Sequence, residues 1–224
     1  MLEELQHQIA ANPEFGTKQV VTNIWILNKI HIAYEHHNEA EYRSSHCNKL
    51  AELGADLASG TKTHLGMIWF IKCSHWCSMD INTSQHTICY GDPEGDEAPN
   101  WLCDATKWWL SKHMEGTFKW EILPCPAQHD EFSCGILTQN GLAHSFLPAA
   151  HLLINTSSNQ AVAIAHLKAG AEVIQHHIRM VCHIDTNLMI VFTSYIGISI
   201  SHSCTYFTVH FTHTTTQFFL NSLR

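Results

Sequence analysis

Apolar positions along Leu2-Glu-Glu-Leu-Gln-His-Gln-Ile-Ala10 recur at helical spacing, and Asn12-Pro13 ends that segment. Residues 19–37 are rich in apolar side chains, but their periodicity does not decide between helix and strand. Asn48-Lys-Leu-Ala-Glu-Leu-Gly-Ala-Asp-Leu-Ala58 reads as a helix capped by Asn48, with Gly60 in the loop beyond. From residue 66 the pattern changes. Short apolar runs at 66–71, 76–81 and 87–90 predict buried strands, separated by a turn at Asn82-Thr-Ser84 and followed by the loop Gly91-Asp-Pro-Glu-Gly-Asp96. Apolar residues between 99 and 114 predict a helix started by Pro99, and 117–123 predicts a strand. An irregular loop at 124–133 gives way to a mostly apolar helix at 134–146, stopped before Pro148, and a further helix is expected over 159–178. A few central strands with helices before and after predict an α+β fold, a small mixed sheet flanked by helices.

Composition sets outer limits. A chain of 224 residues buries a sizeable core as one large domain, or as one domain with appendages. Three parts are expected: a helical N-terminal part at 1–62, a core at 63–182, and a tail at 183–224. Residues 186–223 hold no Asp, Glu, Lys or Arg and are rich in Thr, Ser, Ile and Phe. The densest apolar stretch there, Leu188 to Ile200, falls short of the ~20 residues a membrane span needs, so no span is expected. A net charge of −8 argues against nucleic acid as a partner, since phosphate binding needs a Lys/Arg surplus. Nine irregularly spaced cysteines, behind an acidic amphipathic start without an apolar leader, read as reduced thiols. The expected compartment is therefore the nucleus or cytoplasm.

Three motifs stand in order. His75-Trp76 opens a strand, Asp92 follows 17 residues after His75, and Gln128-His-Asp-Glu-Phe-Ser-Cys134-Gly135 leads into a helix. A thiol nucleophile needs a lowered pKa, and a helix N-terminus favours the thiolate. It needs an imidazole to take the proton, and a carboxylate behind that imidazole to fix its tautomer. A side-chain amide beside the nucleophile serves a developing oxyanion. The sequence supplies one candidate for each role: Cys134, His75, Asp92 and Gln128. Taken singly, each has a plainer reading as a buried thiol, a satisfied histidine, a turn residue before Pro93 or a solvated loop amide. Asp80 is a rival orienter, and Cys125 a rival nucleophile without a helix start behind it.

Together the motifs resemble the ubiquitin-like-protein (SUMO/sentrin-specific) cysteine protease family, best over residues 66–148. The resemblance implies a papain-like fold with catalytic order His, Asp, Cys. It implies cleavage after the Gly-Gly tail of SUMO or a related modifier, by a monomer without a cofactor. It also implies that Trp76 lines the tunnel gripping that tail. The chain departs from the family pattern at Ser133 and Asp130, where Asp and Asn are frequent. Its Trp101-Leu-Cys-Asp104 tetrapeptide falls after Asp92, whereas the family carries such a motif before the His. These departures motivate the alternative of a catalytically decayed member that only binds a modifier or another protein.

Nineteen histidines raise a separate possibility, zinc. Cys73, His75 and Cys77 alternate on one strand face, His31, His36 and His37 cluster, and so do His176, His177, Cys182 and His183. No paired ligand spacing of a recognised zinc module accompanies them, so no metal site is expected.

Overall fold

A computed structural model describes residues 2–36, 42, 48–71, 75–182, 197–199, 206–211 and 214–219. The chain divides into two compact units, Met1–Gly170 and Ala171–Arg224.

The first unit is built on one five-stranded sheet, in spatial order β1 (Gln19–Val21), β2 (His64–Ile71), β3 (His75–Asn82), β4 (Thr87–Gly91) and β5 (Lys119–Ile122). The two central pairings, β2 with β3 and β3 with β4, are antiparallel. The outer pairings, β1 with β2 and β4 with β5, are parallel. The sheet is thus mixed, as expected of the α+β pattern. Its helices are α1 (Leu2–Ala10), α2 (Trp25–His36), α3 (Asn48–Ala58), α4 (Asn100–Ser111), α5 (Cys134–Phe146) and the start of α6 (Asn159–Cys182). The undecided stretch at 19–37 contains both answers, strand β1 followed by helix α2.

Strand alternation sorts the core into two layers. Leu65, Met67 and Ile71 of β2 join Cys77, Met79 and Ile81 of β3 in a cluster with Ile30 of α2, Leu50 of α3 and Trp109 of α4. The opposite phase, Ile68 and Trp76, joins Leu5 and Ile9 of α1 and Leu142 and Phe146 of α5. Gly66 lies in that second phase. A Cβ there would come within 2.7 Å of the Phe146 ring and 3.2 Å of Leu142, so only glycine lets α5 pack this closely on β2.

The second unit contains the antiparallel sheet β6 (Gly197–Ser199), β7 (Tyr206–Phe211) and β8 (Thr214–Phe219), in that order. Thr- and Phe-rich alternation suits such strands. Among the described residues, no helix is long and apolar enough to cross a membrane.

Candidate active site

His75 is the first residue of β3, and Asp92 follows directly on β4. The antiparallel register sets Ser78 opposite Gly91, so the start of β3 and the exit of β4 lie at one end of the hairpin. The side chains of His75, Cys77, Tyr90 and Asp92 share the phase of the larger core layer. There His75 Nε2 lies 2.7 Å from Asp92 Oδ1. The Asp92 side chain is only 2% exposed, yet its carboxylate is well satisfied. Oδ1 also accepts from the Glu94 backbone N–H at 2.7 Å. Oδ2 accepts from the Cys77 thiol at 3.2 Å and faces the Tyr90 hydroxyl at 3.2 Å. That hydroxyl also lies 3.0 Å from Cys77 Sγ, so it has one proton to offer two acceptors.

This arrangement fixes protonation. Burial pushes both the Cys77 thiol and the Tyr90 phenol up, and the Asp92 charge adds to each shift. Both groups stay neutral donors around the carboxylate. Because Asp92 only accepts, His75 must carry its proton on Nε2, which leaves Nδ1 with the lone pair of a base. Nδ1 faces Glu94 Oε1 at 3.6 Å.

Cys134 is the first residue of α5 and is buried. The first amides of a helix have no intrahelical partner and concentrate positive potential there, which favours a thiolate. The Ser133 carbonyl receives the N–H groups of Ile136 and Leu137 and so begins the helix ladder. Two contacts set this helix end against the start of β3. The Thr138 hydroxyl donates to the Trp76 carbonyl at 2.7 Å. A Cβ on Gly135 would lie 3.3 Å from Trp76 Cδ1, so the indole rests over the first turn. Among the described residues Cys134 Sγ is not hydrogen-bonded to His75; the two contacts set the first turns of the helix against Trp76, the residue next to the imidazole.

Gln128 sits in the loop before α5. Its backbone N–H donates to the Pro93 carbonyl at 2.7 Å, which stitches this loop to the segment bearing Asp92. Its side-chain Nε2 donates to the Asp130 carbonyl, while Oε1 is buried without a partner. The amide is therefore engaged with its own loop in this state. Trp76 is half-buried and packs on Phe70 with ring centroids 4.7 Å apart.

The rivals fall to other tasks. Asp80 pairs with His64 in the sheet, away from His75. The Cys125 thiol donates to the Leu137 carbonyl at 3.4 Å and is pushed up to about 12 by burial and then by the Asp92 charge. That makes it a poor nucleophile near neutrality. Of the zinc candidates, Cys73, His37 and His183 lie outside the described residues. His31 pairs with Glu35 at 3.4 Å. Ligand atoms of His75, Cys77 and Asp92 do lie within 4.8 Å of one another, and their mutual hydrogen bonds account for that grouping.

Sequence reasoning missed Cys77, Tyr90 and Glu94 as partners of the dyad. The signal was present in the alternation of strands β3 and β4: Cys77 is two residues from His75, and Tyr90 is two from Asp92.

Comparison with known proteins gives no matching family model and no matching curated relative. Among solved structures, the C-terminal Ulp1 protease domain in complex with Smt3, the yeast ortholog of SUMO, is 22% identical, with a TM-score of 0.49, over 74% of this chain and 73% of that one. A SUMO protease Ulp1 with its catalytic cysteine oxidised to a sulfenic acid is 18% identical, with a TM-score of 0.40, over 75% of this chain and 94% of that one. The Xanthomonas campestris effector protein XopD bound to ubiquitin is 15% identical, with a TM-score of 0.46, over 65% of this chain and 71% of that one. Likeness this distant assigns neither a family nor an activity.

Proposed function

We propose that this chain is a thiol protease and isopeptidase that cleaves after the Gly-Gly tail of SUMO or a related ubiquitin-like modifier. One observation carries the reading. A buried, fully satisfied Asp92 holds His75 with its base nitrogen free of the carboxylate, beside a helix whose first residue is Cys134. The motif spacing that includes Trp76, Gln128 and Gly135 supports the modifier class.

The roles follow from that geometry. The Cys134 thiol gives its proton to His75 Nδ1, and Sγ attacks the carbonyl carbon of the terminal glycine. Gln128 exchanges the Asp130 carbonyl for the developing oxyanion and donates to it, joined by amides of the first turn of α5. Collapse expels the lysine amine, which takes the proton from Nδ1, and leaves a thioester on Cys134. Water activated by the same nitrogen then releases the modifier acid. Asp92 stays ionised throughout and stabilises the imidazolium. Trp76 covers the tail, and the bulk of its indole favours residues as small as glycine there.

The test is incubation with a modifier precursor and a lysine-linked conjugate, read by mass spectrometry. Cleavage after Gly-Gly that vanishes in Cys134→Ser supports the reading; no cleavage across a panel of ubiquitin-like modifiers overturns it. A second reading, a member that binds a modifier without cutting it, is favoured by one observation. Cys134 is not hydrogen-bonded to His75, whose Nδ1 faces Glu94 instead. Saturable binding with no turnover would select it.

A further inference from the structure

The loop that carries Gln128 and ends at the nucleophile is held from a distant part of the chain. Asp130 organises it: Oδ1 accepts the N–H of Phe132 at 3.0 Å and of Ser133 at 2.7 Å, while Oδ2 accepts the Ser133 hydroxyl. Burial is the largest single influence on Asp130 and raises its pKa, but the Ser133 hydroxyl, the two amides and His166 together outweigh it and hold the carboxyl below its usual range. The Ser133 hydroxyl has one proton and gives it to Asp130. Yet a second contact reaches the same oxygen: His166 Nε2, from α6 and 33 residues away, lies 2.9 Å from Ser133 Oγ. With the hydroxyl proton committed, His166 must be the donor, so Nε2 carries hydrogen. The imidazole also packs on Phe132, ring centroids 5.6 Å apart. Ser133 itself is buried, while Asp130 and His166 are half-buried and Phe132 is exposed.

We infer that His166 is a positioning residue for the thiol chemistry, acting through Ser133 and Asp130 to hold the loop that presents Gln128. This rests on the thiol-hydrolase reading above. The same Asp130 whose side chain is organised by Ser133 supplies the carbonyl on which the Gln128 amide rests. A hydrogen bond from His166 thus fixes where that amide stands when it turns to the oxyanion. The consequence is selective. An oxyanion forms only along the acyl-transfer path, so loss of His166 lowers kcat and leaves KM little changed. Simple alkylation of Cys134 by iodoacetamide forms no oxyanion and proceeds at its ordinary rate.

Three variants test this. His166→Ala removes the donor; turnover of a modifier-tail amide should fall by up to about tenfold, the scale of one hydrogen bond. Its iodoacetamide rate should stay within about twofold of the wild type. His166→Gln places an amide N–H near the Nε2 position, and turnover should return to within about twofold of the wild type. Ser133→Ala removes the bridging hydroxyl and should match His166→Ala, which covers the case in which that variant fails to fold. An arm independent of activity is proteolytic nicking of the full chain between residues 124 and 133, expected to rise about tenfold in His166→Ala with the thermal midpoint unchanged. Unchanged turnover and unchanged nicking in His166→Ala would overturn the inference, as would a His166→Gln variant as impaired as His166→Ala. A wild type inert toward every modifier overturns the hydrolase reading, while nicking still decides whether His166 holds the loop.

Discussion

Replacing Asp92 by Asn isolates the carboxylate charge behind His75. The carboxylate serves two pairs of donors, His75 Nε2 and the Glu94 N–H on Oδ1, Cys77 and Tyr90 on Oδ2. The first pair cannot reverse: a backbone amide never accepts, and a reversed imidazole would lose its base nitrogen. The second pair can, because the Tyr90 oxygen and the Cys77 sulfur both accept. The substituted carboxamide therefore settles with its oxygen toward His75 and its nitrogen toward Tyr90, and the fold survives with every group paired. What is lost is the charge. A charge-assisted bond is worth about 1.5–3 kcal/mol against about 1 for a neutral one, and in a site with a 2% exposed carboxylate the upper half of that range applies. The neutral bond that remains leaves a loss of about 1.2–2 kcal/mol at the imidazolium-bearing step, which lowers kcat roughly 8- to 30-fold. The assay is kcat and KM on a fluorogenic modifier-tail substrate, beside the thermal midpoint. Asp92→Asn should lose kcat by that factor with a midpoint shift of a few degrees at most. A loss under about threefold, with the protein folded, would refute the orienting role.

Three further outcomes are expected. Gly66→Ala should lower stability by about 1–3 kcal/mol, because the new Cβ meets Phe146 at 2.7 Å and that ring is pinned by its stack on His64; a thermal midpoint within a degree of the wild type would contradict the packing. His113 accepts from the Tyr42 hydroxyl, and burial holds its pKa below the usual histidine value. The unfolded chain therefore binds the proton more readily, stability falls as pH drops below about 6.5, and His113→Gln should flatten that slope in melts between pH 5 and 8. Glu94 Oε1, 3.6 Å from His75 Nδ1, competes with the Cys134 thiolate for the imidazolium. Glu94→Gln should speed iodoacetamide alkylation of Cys134 by up to about fivefold, the scale of an exposed ion pair, and a slower rate would reverse the assigned role.

Much of the first unit was legible from local patterns. The helix over 48–58 and the helix that starts at Cys134 are bounded as the sequence suggests, because Pro148 and apolar spacing act locally, although no side-chain cap bond begins the second. The strands were visible as apolar runs, but their ends were not: β2 begins at His64, whose side chain is polar yet paired with Asp80 and stacked on Phe146. Residues 19–37 stayed ambiguous since β1 is three residues long and gains its order from parallel pairing with β2, a contact no local window contains. Within the site, His75 and Asp92 were found by spacing and do meet. Cys77 and Tyr90 were overlooked because a thiol and a phenol in buried strands pass for core; alternation puts them on the face of His75 and Asp92, and the strand register brings them to one carboxylate. His166 had no sequence signal at all, being one histidine among nineteen and 33 residues from the hydroxyl it contacts.

The most direct measurement is covalent capture by a ubiquitin-like modifier whose C-terminal glycine carries an electrophile, followed by peptide mapping of the adduct. One modifier per chain on Cys134, abolished by Cys134→Ser and slowed by His75→Ala, is the predicted result. No adduct with any modifier, or an adduct on Cys125 or Cys77 in place of Cys134, would contradict it.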